Sequence, residues 1–471
     1  MVRYADIGLV GLGVMGRNLA LNFRDKGFSV AGFDIDSSKV KALNTDAMER
    51  RFEGYGSVED FVSALKTPCA ILMLVPAGKP VDMAIKDFLP HLNPGDLIID
   101  AGNSHFSDTD RRIEYVSEKG IHFMGVGVSG GEKGARYGPS IMPGGNKEAY
   151  EQVRPLFEAA AAQVNGDPCV AYLGSGSAGH YVKMVHNGIE YGIMQLIGET
   201  YDIMKRGLQF DAERLHQVYE EWNQGELESY LVQITSGIFL QRDKKTSLPL
   251  IDRILDEAKQ KGTGKWASQD SMDLGIPLST MDTAVVMRHL SALRHDRQQG
   301  ASIFGECGSF EDKSEVQVED LRNALYACTI MTYAQGMALL SAASKHYQYD
   351  VPLSDVARIW RGGCIIRAAV LEKIRSAFEK RPDLSNLMFD ESLGKKINEC
   401  QGSLRKLVRS ATAVGIPIPA FAASLSYFDS FRSSWLPANL IQAQRDYFGS
   451  HTYERIDEPG AFHTEWGQPE R

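Results

Sequence analysis

The chain has 471 residues, 43% of them hydrophobic and 24% charged, which suits a soluble globular protein of two or three domains. Its formal net charge of −9 argues against a nucleic-acid-binding protein and against a partner of acidic membranes. The six scattered cysteines form no CxxC pair, and there is neither a signal peptide nor a membrane-spanning apolar run, so we expect a cytoplasmic protein without zinc or disulfides.

Short apolar runs alternate with amphipathic stretches in the first third of the chain. The runs ADIGLVGLG, FSVAGFD, CAILMLVP, DLIIDAGN, IHFMGVGVSGG and CVAYLGS each predict a buried strand, and helix-like segments lie between most of them. This alternation predicts a largely parallel sheet covered on both faces. We therefore expect an α/β Rossmann-type domain over residues 1–178.

A GxGxxG motif follows the first predicted strand and opens a helix. In that position the first glycine permits a tight turn, the second lets the backbone approach a pyrophosphate, and the third lets helix pack on strand. The alternative is a structural glycine turn in another α/β protein. The predicted cofactor-binding residues here are Gly11, Leu12, Gly13, Val14, Met15 and Gly16.

The second predicted strand ends at Asp34, followed by Ile35 and Asp36. A carboxylate at this point can accept both hydroxyls of the adenosine ribose, and it repels a 2′-phosphate. Because no arginine stands in the 34–36 segment, the sequence favours NAD over NADP. An ordinary turn aspartate is the alternative, and Lys39 could restore some NADP binding.

The strand signal nearly disappears after the GSGSAG segment, and the pattern becomes helical. We expect an all-helical substrate and dimerisation domain over residues 179–437 and a C-terminal tail over residues 438–471. FDAERLHQVYEEWNQGE resembles YDVPLSDVARIWRGGC, and each follows a long apolar helix, which indicates a duplicated helical unit.

One apolar helix carries four polar residues on a single face. Lys183, His186, Asn187 and Glu190 lie at positions i, i+3, i+4 and i+7 of GHYVKMVHNGIEYG. A solvated stripe is the usual reading of such spacing. Here the flanking residues are apolar and leave no broad face for water, so the polar residues are expected to face a cavity.

Other polar residues predict an anion site. Asn103 and the turn of Ser129, Gly130 and Gly131 follow predicted strands, where open parallel sheets bind ligands. Each could instead be an ordinary loop residue. Candidate phosphate ligands, any of which could be a surface charge, are Lys261, Thr263, Lys265, Arg288, Arg445 and His451.

The chain resembles the 6-phosphogluconate dehydrogenase family over almost its whole length. The motifs that carry the resemblance, in the family's order, are GLGVMGRNLALN, IIDAGNS, GVSGGEKGA, GPSIMPGG, GHYVKMVHNGIEYG, KGTGKW, CIIRA and LIQAQRDYFGSHTYERID with FHTEW. The resemblance implies oxidative decarboxylation of 6-phospho-D-gluconate to D-ribulose 5-phosphate and CO2 in the pentose phosphate pathway, with reduction of NAD or NADP and without a metal. It also implies a homodimer whose tails reach the partner subunit.

The resemblance further implies roles for single residues. Lys183 matches the general base and Glu190 the general acid, and Asn187 between them positions the substrate hydroxyl. Implied substrate contacts are Asn103, Ser129, Gly130, Gly131, His186, Asn187, Tyr191, Lys261 and Arg288, with Arg445 and His451 from the partner's tail; implied cofactor contacts are residues 11–16, residues 34–36, Val75, Pro76, Ala77 and Asn103.

The chain departs from the family pattern at the cofactor. Most members that use NADP carry Asn-Arg-Ser/Thr in place of residues 34–36, and many have Lys where this chain has Pro76. Two rival functions remain: a β-hydroxyacid dehydrogenase for a small unphosphorylated acid, and a non-catalytic protein that keeps the fold. The chain's length and basic candidates argue against the first, and the presence of Lys183 and Glu190 argues against the second.

Overall fold

A seven-stranded sheet organises the N-terminal third of the chain in the computed structural model, which describes residues 4–46, 52–306 and 308–467. The strand order is β3-β2-β1-β4-β5-β6-β7, and all neighbours are parallel except β7, which runs antiparallel to β6. The strands are β1 (Ile7–Val10), β2 (Val30–Phe33), β3 (Phe52–Tyr55), β4 (Ala70–Met73), β5 (Leu97–Asp100), β6 (His122–Ser129) and β7 (Ser140–Gly145). A separate antiparallel pair, β8 (Gln163–Val164) and β9 (Asp167–Pro168), follows them in the sequence.

Helices cover both faces of this sheet. Alternate residues of β5 point to opposite sides: Ile99 packs in one apolar cluster with Phe23 and Phe157, and Ile98 packs in the other with Phe61. The strands are buried on both faces, which confirms the predicted Rossmann-type fold class. The helices are α1 (Val14–Asp25), α2 (Ser37–Asp46), α3 (Val58–Ser63), α4 (Lys79–Phe88), α5 (Phe106–Ser117), α6 (Gly131–Tyr137) and α7 (Lys147–Ala160).

Three segments differ from the predicted strands. CVAYLGS was expected to be a strand, but it forms only an isolated bridge at Val170 and otherwise runs beside β7 with scattered backbone hydrogen bonds. Strands β3 and β7 were not predicted. β3 is short and partly polar, and β7 contains Pro143 and two glycines, which an edge strand tolerates because only one side is paired.

The described chain from residue 178 to 424 has helices joined by loops and isolated bridges but no β-sheet, as expected for the second part of the fold. The long α8 (Ala178–Asp202) is buried along most of its length. The remaining helices that begin before residue 424 are α9 (Ala212–Trp222), α10 (Tyr230–Phe239), α11 (Thr263–Asp273), α12 (Ser279–Ala292), α13 (Arg294–Phe304), α14 (Val318–His346), α15 (Leu353–Ile359), α16 (Val370–Lys380), α17 (Glu391–Ala413) and α18 (Pro419–Phe431).

The chain divides into two compact units, one up to Ser424 and one from Leu425 onward. The second unit contains α19 (Ala438–Gly449) and a hairpin of β10 (Tyr453–Glu454) and β11 (Ala461–Phe462). Its organising group is Asp446, whose carboxylate accepts hydrogen bonds from the backbone of Thr452 and Thr464 and from the Trp466 indole. The expected boundaries at 178/179 and 437/438 and the internal duplication stay predictions.

Two observations apply to the described residues only. None of their helices is both long enough and apolar enough to cross a membrane. The five described cysteines are buried and unpaired, and Cys307 lies outside the described residues.

Candidate functional site

The glycine-rich turn between β1 and α1 has room only for glycine at two positions. Gly11 has φ +91°, and its N–H donates to the Phe33 carbonyl at 2.9 Å, which fastens the turn to β2. A Cβ on Gly16 would lie 1.9 Å from the Gly11 oxygen. The tight turn leaves the start of α1 free to face phosphate groups, so these residues fit a dinucleotide.

Asp34 lies beside this turn with its carboxylate held in place. Its two oxygens accept the N–H groups of Leu12 at 2.7 Å and Asp36 at 2.9 Å, and Lys39 Nζ lies 3.3 Å away. Each carboxylate oxygen keeps acceptor capacity for a further donor such as a ribose hydroxyl. Ile35 is 96% exposed, so its side chain leaves the segment open to a ligand.

Two further loops leave the same edge of the sheet. Val75, Pro76 and Ala77 follow β4, and Asn103 lies exposed in the loop after β5. Because β1, β2, β4 and β5 are neighbours, the candidate cofactor residues all lie at the carboxyl ends of adjacent strands. The side chain of Asp100 braces the last loop by accepting from Gly102 N at 3.0 Å and Ser104 Oγ at 2.6 Å.

The polar face of α8 is largely shielded from solvent, with Lys183 and His186 buried and Asn187 and Glu190 half-buried. Lys183 is 7% exposed, and burial lowers the pKa of its amine, which favours the neutral form. Burial also raises the pKa of Glu190, although the charges of Lys183 and Arg288 act in the opposite direction. One helix therefore carries an amine whose neutral form is favoured and a carboxyl whose protonated form is favoured.

A chain of hydrogen bonds links the sheet to the helices through α8. Ser129 Oγ lies 3.3 Å from His186 Nε2, His186 Nδ1 lies 3.0 Å from Asn187 Oδ1, and Asn187 Nδ2 donates to Thr263 Oγ1 at 3.0 Å. Since the Asn187 oxygen faces His186, Nδ1 of the imidazole carries the proton and Nε2 accepts from Ser129. Burial lowers the pKa of His186 well below its usual value, so the ring is neutral.

Arg288 is a buried cation at the end of this face. It is 7% exposed, its guanidinium carbon lies 3.6 Å from the centre of the Tyr191 ring, and it donates to the Ala284 carbonyl at 3.2 Å. No ion pair between described residues includes Arg288, although the charge of Glu190 acts on its pKa. Such a site favours an anionic ligand.

Among the described residues, no hydrogen bond joins the side chain of Lys261 or Lys265, or the turn of Gly130 and Gly131, to this group. Gly130 and Gly131 have φ +119° and +61° at the start of α6, a conformation that glycine adopts readily. Lys261 is exposed in the loop before α11, and Lys265 is exposed on that helix. The remaining two, Arg445 and His451, are exposed residues of the second unit.

Sequence reasoning missed one element of the site, the turn from Ile359 to Cys364. The edge of the buried Trp360 ring packs against His186, with ring centres 5.6 Å apart. Residues 359–364 end the second copy of the predicted repeat and lead into the CIIRA motif, but no polar periodicity marks them as part of a site. Among the described residues there is also no cluster of three or more His, Cys, Asp or Glu that could hold a metal.

Comparison with known proteins identifies the family. Residues 6–174 match the model for the NAD binding domain of 6-phosphogluconate dehydrogenase, and residues 179–466 match the model for its C-terminal domain. The NADP(+)-dependent, decarboxylating 6-phosphogluconate dehydrogenase of Bacillus subtilis is 50% identical over 98% of this chain and 99% of its own length. The decarboxylating enzyme of Escherichia coli is 48% identical over 98% of this chain and 99% of its own length.

A solved structure shows the same fold. Plasmodium falciparum 6-phosphogluconate dehydrogenase, described in its apo form and with its cofactor NADP+ or its substrate 6-phosphogluconate, aligns with a TM-score of 0.95 and 46% identity. The alignment covers 98% of this chain and 100% of the Plasmodium chain. The chain therefore belongs to the 6-phosphogluconate dehydrogenase family.

Proposed function

We propose that this chain catalyses the oxidative decarboxylation of 6-phospho-D-gluconate to D-ribulose 5-phosphate and CO2, with reduction of a nicotinamide dinucleotide. The observation that carries the proposal is the pair of Lys183 and Glu190 on one buried helix face, with the pKa of the amine lowered and that of the carboxyl raised. A base and an acid tuned in opposite directions by burial suit a reaction that removes one proton and later adds another.

Lys183 acts first, as the base. Its neutral amine takes the proton of the C3 hydroxyl. A dinucleotide held at the glycine turn of residues 11–16 would supply the acceptor for the hydride that leaves C3. The product is a β-keto acid whose C1 carboxylate leaves readily, because the ketone accepts the electron pair of the broken bond. The protonated Lys183 then donates to the developing enediolate oxygen, which stabilises that charge.

Glu190 acts last, as the acid. Burial raises the pKa of this carboxyl, which favours its protonated form. Glu190 delivers the proton to the carbon that was C2 of the substrate and becomes C1 of ribulose 5-phosphate, while neutral Lys183 takes back the enediol hydroxyl proton to give the ketose phosphate. Lys183 and Glu190 are two helical turns apart, so they can flank one short substrate. Asn187, between them, positions the reacting hydroxyl.

The anionic groups of the substrate match the remaining polar residues. We assign the phosphate to Arg288, Tyr191, Lys261 and Thr263, because Arg288 is a buried cation without a carboxylate partner in the described chain. We assign the carboxylate and hydroxyls to the other end of the site, through Asn103, Ser129, Gly130, Gly131 and His186.

A finer proposal concerns the dinucleotide, for which we favour NAD over NADP. A 2′-phosphate placed at Asp34 would meet two fixed carboxylates, those of Asp34 and Asp36, and would find no arginine in the 34–36 segment. The Bacillus relative is named NADP(+)-dependent, and the Plasmodium structure is described with NADP+, so family membership alone points the other way. Lys39, 3.3 Å from Asp34, could attract the extra phosphate.

We also propose a homodimer whose site is completed by Arg445 and His451 of the partner subunit. Val286 and Leu290 of α12 and Leu293, directly after it, are spaced at i, i+4 and i+7, with exposed fractions of 53%, 42% and 49%. An exposed apolar stripe of this kind is typical of a subunit interface.

Mixing inactive variants tests the shared site. Chains with Lys183→Ala mixed with chains with Arg445→Ala should regain part of the activity, because one site of each mixed dimer is intact. If proven subunit exchange restored no activity, the tail would serve its own chain.

The proposed reaction is tested by following reduced cofactor and CO2 with 6-phosphogluconate as substrate. We expect equimolar amounts of both products, and little activity with unphosphorylated gluconate, which cannot use the buried Arg288. Turnover of gluconate at a comparable kcat/KM would indicate a dehydrogenase of small unphosphorylated acids instead.

A further inference from the structure

The turn from Ile359 to Cys364 is fastened to the end of the sheet that carries the site. Ser140 of β7 donates twice to it, from Oγ to the Ile359 carbonyl and from N to the Gly363 carbonyl, each at 2.8 Å. Ser140 is fully buried, so these hydrogen bonds are shielded from water. The turn therefore has a fixed position relative to β6 and β7.

The same turn packs on the candidate anion loop and lies near the candidate base. A Cβ on Gly130 would lie 2.4 Å from the Gly363 carbonyl oxygen, so backbone packs directly on backbone there. The Cys364 thiol donates to the Trp360 carbonyl at 3.1 Å and lies close enough to Lys183 to act on it electrostatically. The turn thus meets the site at two points besides His186.

Trp360 is fully buried and meets His186 edge to face. The two rings have an interplanar angle of 75° and a centre-to-centre distance of 5.6 Å. Its indole N–H has no hydrogen-bond partner in the described chain, so hydrogen bonding does not explain a tryptophan at this position. What the indole provides is a rigid surface beside the imidazole that links Ser129 to Asn187.

We propose that Trp360 is a positioning residue for substrate binding, because it holds the His186 ring in the orientation that connects Ser129 to Asn187. This inference rests on the proposed function. It adds a residue that contacts neither substrate nor cofactor, and that acts through His186. The Ser140 hydrogen bonds keep Trp360 in place.

Trp360→Phe is the conservative test, with Trp222→Phe as its control. Trp222 is also a nearly buried tryptophan with an edge-to-face neighbour, Tyr219, at 5.1 Å and 75°, but it lies on α9, which carries no candidate site residue. Trp360→Phe should raise KM for 6-phosphogluconate about two- to ten-fold, the size of one aromatic pair. KM for the dinucleotide should stay within about two-fold of the parent value.

A purely structural role predicts a different pattern. If Trp360 served only the core, both variants would lower the thermal midpoint similarly and leave both KM values unchanged, and that result would overturn the inference. The ¹⁵N shifts of His186 give a second readout: the Nδ1–H tautomer should become mixed in Trp360→Phe and stay single in Trp222→Phe. Unchanged His186 shifts in Trp360→Phe would also overturn it.

Ser140→Ala keeps the inference testable if Trp360→Phe does not fold. Loss of the Oγ hydrogen bond to Ile359 frees one end of the turn, so the same selective rise in KM for 6-phosphogluconate is expected. A parent-like KM in Ser140→Ala would contradict the proposed role of the turn. A parent chain inactive with 6-phosphogluconate would instead refute the proposed function, which separates the two failures.

Discussion

Arg288→Met should make the protein more stable and a poorer binder of its substrate. The guanidinium is 7% exposed, stacks on Tyr191 and forms no ion pair in the described chain, and burial lowers its pKa. A buried ion costs several kcal/mol even after the protein relaxes. The stack on Tyr191 returns ~2 kcal/mol.

The balance of these terms gives the expected size of the effect. Methionine keeps much of the buried volume and removes the charge, so the free energy of unfolding should rise by about 1–3 kcal/mol. At roughly 2 °C for each kcal/mol in a large unit, the thermal midpoint should rise by about 2–6 °C. Losing charge-assisted hydrogen bonds to a phosphate should raise KM by about 10- to 100-fold.

The assays are thermal unfolding without ligand and steady-state kinetics with 6-phosphogluconate. Arg214→Met is the matched control, because Arg214 also stacks on an aromatic ring, that of Phe210, but is exposed. It should change neither quantity much. A lower midpoint for Arg288→Met together with a parent-like KM would refute the view that Arg288 is a buried cation kept for an anionic ligand.

Four further predictions follow from named groups. Lys183→Ala should lower kcat by about 10² to 10⁴ while substrate still binds in calorimetry, and near-normal turnover would remove it from the mechanism. Glu190→Gln should slow incorporation of tritium from water into C1; an unaltered rate would require another acid. Asp34→Asn combined with Ile35→Arg should raise kcat/KM for NADP relative to kcat/KM for NAD. A parent that already favours NADP ten-fold would contradict the proposed role of residues 34–36. Burial raises the pKa of Glu199 from 4.5 to about 7, so the folded chain binds a proton more tightly than the unfolded chain. The free energy of unfolding should therefore fall by up to ~3 kcal/mol as the pH rises from about 4.5 to about 7. Glu199→Gln should flatten this slope in denaturant titrations.

The fold class and the polar face of α8 could be predicted because each rests on local patterns. Strand–helix alternation predicts the sheet, and helical spacing puts Lys183, Asn187 and Glu190 on one face without knowledge of distant residues. Asp34 could also be predicted from local sequence, because it comes directly after β2, the first strand that follows the glycine turn. Strand β7 could not be predicted, because Pro143 and its glycines are tolerated only at an edge.

Contacts between distant parts of the chain were outside the reach of sequence reasoning. Asn187 donates a hydrogen bond to Thr263, which lies 76 residues further along the chain. Trp360 packs edge to face with His186, although its turn has no polar pattern in the sequence. Arg288 was a candidate phosphate ligand and a substrate contact implied by the family resemblance, but its stack on Tyr191 could be seen only in the structure. The placement of such groups depends on helix packing, which periodicity does not specify.

The most direct test measures reduced cofactor and CO2 together for the purified parent chain and for Lys183→Ala with 6-phosphogluconate. The proposed mechanism predicts one CO2 for each reduced cofactor in the parent. In Lys183→Ala it predicts that the rates of forming both products fall by the same factor. Cofactor reduction by the parent without CO2 release, or a Lys183→Ala variant that forms both products at the parent rate, would contradict it.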